Sequence, residues 1–94
     1  MAAYLIGQIK VKDQNLWNKY VAGVKESLTP FAAEIVFRGT LLEVLAGEQN
    51  KDLVVVVKFA EQAVLNDWFT SEKYQSLIPL RDEAASVVIS TYQA

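Results

Sequence analysis

The stretch Leu-Val-Val-Val-Val-Lys-Phe, residues 53–59, decides the fold of this chain. Consecutive β-branched residues are typical of a strand, and successive side chains of a strand point to opposite faces of its sheet. Leu53, Val55 and Val57 are apolar on one side, and Val54 and Val56 are apolar on the other. Because neither side of the run is polar, the sequence predicts a strand with apolar surroundings on both faces.

Working outward from this run, the pattern predicts the order β-α-β-β-α-β. The predicted strands span residues 3–12, 33–45, 53–59 and 86–92, and the predicted helices span residues 16–28 and 61–69. Asp13 is expected to cap the first helix, and Thr29-Pro30 is expected to end it. Ser71 is expected to cap a further turn, and Pro79 to begin a short helical piece through residue 85. Gly39 is expected to mark a bulge or bend in the second strand.

This order predicts an α+β fold in which a four-stranded antiparallel sheet carries both helices on one face. The chain, residues 1–94, is expected to form a single domain, since its length is near the common domain size. Strict alternation assigns an apolar set to the helix-free face: Tyr4, Ile6, Val36, Val54, Val56, Val88 and Tyr92.

Leaving the five aliphatic members of this set in water would forgo on the order of 10 kcal/mol, which is comparable to the whole stability of a domain. Apolar patches of this kind mark interfaces. We therefore expect a homodimer in which the helix-free face of one copy covers that of another. The alternative is that only the third strand is central and its neighbours shield it.

The composition excludes several classes of function. The 94 residues include 9 basic and 11 acidic side chains, no cysteine and no histidine. No basic stripe is present, which argues against nucleic-acid binding. Without cysteine or histidine, the commonest metal ligands and the commonest general base are absent, so no cofactor and no metal are expected. With no signal-peptide pattern and no apolar run near the roughly 18 residues of a membrane span, we expect a soluble cytoplasmic protein without a membrane partner.

Several motifs together resemble a known family. They are Phe59, then Trp68-Phe69-Thr70-Ser71-Glu72-Lys73-Tyr74-Gln75, then Pro79-Leu80-Arg81, with Asp13, Tyr20, Arg38-Gly39, Glu43-Val44-Leu45 and Gly47 in the earlier part of the chain. This set resembles the bacterial domain-of-unknown-function family 1330 over nearly the whole chain. The sequence departs from the family at Ala32-Ala33, where the family often has two glycines.

The resemblance implies a ferredoxin-like fold in the dimeric α+β barrel superfamily. The family brings no established activity. Its superfamily includes cofactor-free monooxygenases, haem-degrading enzymes, lactone-forming isomerases and plain ligand binders, so the fold alone does not select a function.

A cationic set is assigned by alternation to the helix-free face. Arg38, Lys10 and Lys58 could there hold a small anionic molecule such as a carboxylate, between two sheets or at the mouth of a barrel. Arg38 is the strongest candidate because a guanidinium can bind a carboxylate through two parallel hydrogen bonds. The alternative is that these charges lie at sheet edges or pair with Glu34 or Glu43 across the dimer.

The motif residues Trp68, Tyr74 and Arg81 are further ligand-binding candidates. As binding residues they would form the walls of a cleft between the second helix and the sheet. As structural residues, Trp68 would be a core anchor, Tyr74 an aromatic plug with its hydroxyl at the rim, and Arg81 a helix-end tie. Ser71 has no histidine to activate it, so it is interpreted as a cap and not as a nucleophile.

The sequence supports three hypotheses for function. The first is a homodimeric module that binds a small anionic metabolite. The second is a cofactor-independent monooxygenase or isomerase, for which no catalytic residue is assigned and Glu43, Tyr74 and Tyr92 are weak candidates. The third is a structural or partner-binding dimer without a ligand.

Overall fold

The sheet is antiparallel throughout, and its spatial order is second strand, third, first and fourth. The strands are β1 (Ala3–Val11), β2 (Glu34–Thr40), β3 (Leu53–Phe59) and β4 (Ala85–Gln93). The structure is a computed structural model and describes all 94 residues. The predicted third strand is confirmed to the residue, and β3 is an inner strand between β2 and β1.

The helical layer has four segments: α1 (Gln14–Leu28), α2 (Gln62–Phe69), α3 (Glu72–Gln75) and α4 (Ile78–Ala84). The Asp13 carboxylate accepts a hydrogen bond from the Leu16 amide at 3.1 Å, and Ser71 Oγ accepts one from the Tyr74 amide at 3.2 Å. Both predicted caps are therefore confirmed. The α+β fold is confirmed as well, although the region after β3 contains three helical segments. No helix combines the length and the hydropathy that crossing a bilayer requires.

The helix-facing side of the sheet carries the core. Leu5 lies opposite Val57, and Ala3 lies opposite Phe59, so these residues share one face. They pack with aromatic and aliphatic side chains from the helices: Tyr20, Leu28, Leu65, Trp68 and Tyr74. Only 14 of the 94 residues are buried, so the core is small even for a chain of this length.

The other side of the sheet has no covering element, and we call it the open face. It is formed by Tyr4, Ile6, Gln8 and Lys10 of β1, Glu34 and Phe37 of β2, Val54, Val56 and Lys58 of β3, and Ser86, Val88, Ser90 and Tyr92 of β4. The molecule measures 34 × 31 × 16 Å, so its shortest dimension accommodates one sheet and one layer of helices. The prediction of a largely apolar, helix-free face is confirmed.

A bulge in β2 changes which side chains reach the open face. Ile35 pairs with Val57 and Phe37 pairs with Val56, so Val36 is an extra residue in β2. Beyond Val36 the alternation is reversed, which turns Phe37 to the open face and the next residue, Arg38, to the helix-facing side.

The bulge corrects two predictions. Strict alternation along β2, which placed Val36 on the helix-free face, would put Ile35 and Phe37 together on the other face, but they lie on opposite faces. The irregularity was expected at Gly39, which instead pairs regularly with Val54. β2 also ends at Thr40, five residues before the predicted end, and residues 41–52 connect β2 to β3 without a helix or strand.

Candidate functional site

A cavity of about 330 Å³ lies between α1 and the helix-facing side of the sheet. Its walls are mainly apolar side chains: Trp17, Tyr20, Val21 and Val24 from α1, and Leu5, Ile9, Val55 and Val57 from the sheet. Phe59 and Trp68 complete this apolar lining. Pockets of this size and character are typical of small-molecule sites.

Two cations border this apolar cavity. Arg38 reaches it from β2, and Lys25 reaches it from α1. Both side chains are exposed, and neither makes a side-chain hydrogen bond or a salt bridge. No aspartate or glutamate lines the cavity. The site therefore combines an apolar interior with two unpaired positive charges, which suits an anion with an apolar body.

The expected cationic set is not brought together. Arg38 lies on the helix-facing side because the bulge at Val36 reverses the alternation, whereas Lys10 and Lys58 lie on the open face. Lys10 Nζ is 3.3 Å from Asp52 Oδ2, so this lysine already has a partner. The prediction that all three cations share the helix-free face is therefore wrong for Arg38.

Trp68 is a core residue and a wall of the cavity at the same time. Its side chain is almost completely buried, and the indole N–H donates a hydrogen bond to Ser27 Oγ at 2.9 Å. Ser27 in turn donates to the Val24 carbonyl at 2.7 Å, so the indole is tied to α1. The ring also packs on Tyr74, with centroids 4.4 Å apart. These contacts hold the indole in one orientation at the cavity wall.

A chain of polar groups leads away from the cavity through the helical layer. The hydroxyls of Tyr20 and Tyr74 are 2.9 Å apart, and Arg81 Nη1 donates to the Tyr74 hydroxyl at 3.1 Å. Arg81 Nε also donates to Asp82 Oδ1 at 3.0 Å. Tyr74 is fully buried, so its hydroxyl does not lie at a rim as the sequence suggested. Arg81 borders a second cavity of about 380 Å³, together with Gln62, Asn66 and Thr91 among its polar walls.

Burial affects the protonation of the hydrogen-bonded side chains Tyr20 and Arg81. It raises the pKa of the Tyr20 hydroxyl, and the neighbouring Tyr74 adds to the effect. For Arg81, burial opposes the charged form, but the hydrogen bond to Tyr74 and the Asp82 carboxylate outweigh burial and raise the pKa. Tyr20 therefore borders the cavity as a neutral phenol, and Arg81 carries a positive charge.

The sequence reasoning missed several residues of the cavity. The helical periodicity of residues 16–28 places Trp17 and Tyr20 on the apolar stripe of α1 and Lys25 on its polar side, and it does not mark any of the three as a cavity residue. The spacing of that stripe shows which way α1 faces, but the gap between helix and sheet depends on the packing of the whole molecule. The candidates Glu43 and Tyr92 do not line the cavity, since Glu43 follows β2 and Tyr92 lies on the open face. No cluster of three or more acidic side chains is present to hold a metal ion.

Comparisons with known proteins identify the family of this chain and structures with a similar fold. The model of the family described as "Domain of unknown function (DUF1330)" matches residues 2–92. A protein of unknown function from Rhodopseudomonas palustris is similar in structure, with a TM-score of 0.82 at 12% identity over 99% of this chain and 82% of that one. No curated protein matches the sequence.

Two further solved structures are similar. The cofactor-independent oxygenase SnoaB from Streptomyces nogalater has a TM-score of 0.72 at 7% identity, over 99% of this chain and 92% of that one. A dimeric ferredoxin-like protein of unknown function from Jannaschia sp. CCS1 has a TM-score of 0.71 at 8% identity, over the full length of both chains. At these identities the likeness establishes the ferredoxin-like fold and nothing beyond it.

Proposed function

The chain belongs to the family Domain of unknown function (DUF1330), and we propose that its homodimer binds a small organic anion with an apolar body in the cavity beneath α1. The observation that carries this proposal is the pairing of an apolar cavity with the unpaired cations Arg38 and Lys25. Because most of the lining offers no hydrogen bond, the cavity does not suit a hydrophilic metabolite that carries many polar groups.

The apolar lining of the cavity favours an apolar ligand body, and the cation at its edge favours an anionic group. Burying an apolar body against Trp17, Val24 and Val57 is favourable at about 25 cal/mol per Å² of apolar surface removed from water. A carboxylate at the cavity's edge would be bound by Arg38, whose planar guanidinium can donate two parallel hydrogen bonds. An aromatic or branched aliphatic monocarboxylate meets both requirements.

The exposed surface supports the homodimer. The isolated chain has 6007 Å² of accessible surface. A monomer of its mass of 10.5 kDa is expected to expose about 5,400 Å², from the scaling of about 6.3 times the 0.73 power of mass. The excess of roughly a tenth accords with an apolar open face that a second copy covers.

The ligand proposal is tested by titrating the protein with benzoate, phenylacetate and octanoate and following thermal unfolding. We expect stabilisation by these acids and not by citrate or by the uncharged benzamide. Arg38→Ala should weaken binding of the best acid by at least about tenfold, since a charge-assisted hydrogen bond contributes on the order of 1.5–3 kcal/mol.

Lys10→Ala is the matched control, because it removes a cation on the open face that is already paired with Asp52. It should leave binding unchanged. Equal weakening by both substitutions, or equal stabilisation by benzoate and benzamide, would overturn the assignment of Arg38 as the anion-binding group. The absence of stabilisation by any acid would favour a structural dimer without a ligand.

A second candidate function is a cofactor-independent oxygenase. It is supported by the fold shared with SnoaB and by the hydroxyl chain from Tyr20 to Arg81. Such an enzyme would convert a ring CH₂ of an electron-rich quinol-type substrate to C=O: one atom of O₂ becomes the carbonyl oxygen, the other leaves as water with the two hydrogens of that carbon, and the substrate supplies all four electrons. Oxygen uptake with such a substrate tests it: turnover above buffer that Tyr20→Phe lowers would support it, and no turnover would exclude it for that substrate class.

A further inference from the structure

The exposed apolar side chains are concentrated in one continuous part of the chain. Seven of the ten large hydrophobic residues that are exposed lie between residues 35 and 45. Leu42 is 94% exposed and Leu45 is 89% exposed, so neither contributes to the core of its own chain. We call residues 41–45 the arm. With Leu41 and Val44 these leucines form a run of exposed apolar residues interrupted only by Glu43, and contiguous apolar patches mark interaction sites.

Backbone hydrogen bonds hold the first residue of the arm, and the residues after it make none. The Leu41 amide donates to the Asp52 carbonyl at 2.7 Å, and the Asp52 amide donates to the Ile9 carbonyl at 3.1 Å. A hairpin connection commonly needs about two to five residues, whereas residues 41–52 form a twelve-residue connection. Beyond Leu41, no backbone-to-backbone hydrogen bond ties residues 42–50 to the rest of the chain.

Charge and continuity indicate what the arm contacts. Glu43 and Glu48 are the charged residues of positions 41–50, and this stretch contains no cation, so it does not suit an anionic membrane surface. The open face is largely apolar, and its two lysines already have acidic neighbours in the same chain, since Lys10 Nζ is 3.3 Å from Asp52 Oδ2 and Lys58 lies opposite Glu34. The arm also continues directly from β2, whose Phe37 lies on the open face and is 52% exposed.

We propose that the arm packs against the open face of a second copy, so that the two protomers exchange arms about a two-fold axis. This inference rests on the homodimer proposed above and adds a second contact to it. The leucines of the arm meet the aliphatic residues of the partner's open face. The arm thereby gives the dimer an apolar contact that the open face alone does not supply.

Sedimentation equilibrium of the double variant Leu42→Asp with Leu45→Asp tests the proposal. The dimer should dissociate at least about 100-fold more readily than the wild type, because the symmetric dimer loses four leucines and even partial burial of each contributes about threefold. Far-UV circular dichroism should show an unchanged fold, since both leucines are exposed in the single chain.

The double variant Gln49→Glu with Asn50→Asp is the matched control. It adds the same two charges to the same connection without removing a leucine, and both new side chains keep the acceptor oxygens that bond Lys51. It should dimerise like the wild type. If the variant Leu42→Asp with Leu45→Asp also dimerises like the wild type, the arm is not part of the interface, and the proposal of a homodimer is unaffected. A wild type that is monomeric at every concentration would overturn both.

A second measurement reports on the surroundings of the arm. The chain contains no cysteine, so an environment-sensitive dye can be attached at Ala46→Cys alone, at the residue that follows the arm. Its emission should shift to the blue as the protein concentration rises through the dimer range, and a dye at the exposed Lys19→Cys on α1 should not shift. An unshifted dye at position 46 in a dimeric sample would contradict the exchange of arms.

Discussion

Ala32 is the non-glycine residue of this chain whose φ is positive, at 50°. It ends the 3₁₀ turn of Thr29–Phe31 in the left-handed conformation, which brings the Cβ of an L-residue close to the following carbonyl. Glycine has no Cβ and adopts this conformation without that cost, so position 32 is strained as alanine.

Ala32→Gly should stabilise the protein by up to about 1 kcal/mol, because the relief of left-handed strain exceeds the added freedom of the unfolded chain. Urea unfolding at pH 7 measures the change. Ala22→Gly, at an exposed position within α1, is the control and should destabilise by about 0.5–1 kcal/mol. Destabilisation by both would show that the turn does not strain Ala32.

Tyr20 should make the stability fall at high pH. Its pKa is raised in the folded protein from the ordinary value of 10.0, mainly by burial and also by Tyr74 and Asp82, against the opposing effect of Arg81. The folded state therefore holds a proton that the unfolded state releases above about pH 10, so this contribution is complete below pH 10 and is lost as the pH rises further.

The free energy of unfolding should decrease above pH 10 by up to about 1.4 kcal/mol per pH unit from this one group. In Tyr20→Phe that part of the slope should disappear, while stability at pH 7 drops by about 0.5–1.5 kcal/mol through the lost hydrogen bond to Tyr74. Urea titrations between pH 7 and pH 11 give both quantities. An unchanged slope would mean that the hydroxyl ionises without unfolding.

At the scale of helices and strands, the sequence predicts the features that depend on neighbouring residues along the chain. The run of valines in β3, the Asp13 cap of α1 and the Ser71 cap of α3 each depend on residues within one turn or one strand. Sequence reasoning failed at β2, because the extra residue is specified by the pairing of β2 with β3 and not by β2 alone. The cavity was missed for the same reason: the gap beneath α1 arises from packing between distant parts of the chain.

Deletion of Val36 tests the role of the bulge. Without the extra residue β2 becomes regular, and Phe37 stays opposite Val56 on the open face while Arg38 stays opposite Val55 on the helix-facing side. We expect this variant to fold and to keep carboxylate binding, as seen by thermal unfolding with and without benzoate. Deletion of Val36 together with Phe37 should instead bring Arg38 opposite Val56 on the open face and abolish binding. Lost binding in the folded single deletion, or retained binding in the double deletion, would contradict the role assigned to the facing of Arg38.

The whole molecule is a two-layer slab in which helices cover one face of the sheet and leave the other face open. Its helix-facing side holds the small core, and its open face presents valines, Ile6 and two tyrosines without any cover. The sequence predicted this asymmetry because the residue order of β1, β3 and β4 sorts them correctly between faces. A stable pair of such slabs would form a four-layer particle in which both sheets are internal.

Unfolding should therefore depend on protein concentration. When a dimer unfolds to two chains, each tenfold rise in concentration favours the folded state by about 1.4 kcal/mol, which raises the midpoint temperature by a few degrees. Val56→Lys on the open face should lower the midpoint and remove this dependence. Ala63→Lys, at an exposed position of α2, should change neither. A wild-type midpoint that does not move with concentration would contradict the dimer.

The cavity also comes with its own optical reporters. The chain has two tryptophans, and both of them, Trp17 and Trp68, lie in the wall of the cavity beneath α1. The quantum yield and emission maximum of an indole respond to whatever replaces the medium beside it, so all tryptophan emission of the protein originates at the site of interest. An unlabelled sample excited near the red edge of the indole band can thus be screened against a compound collection, with the polypeptide itself reporting occupancy.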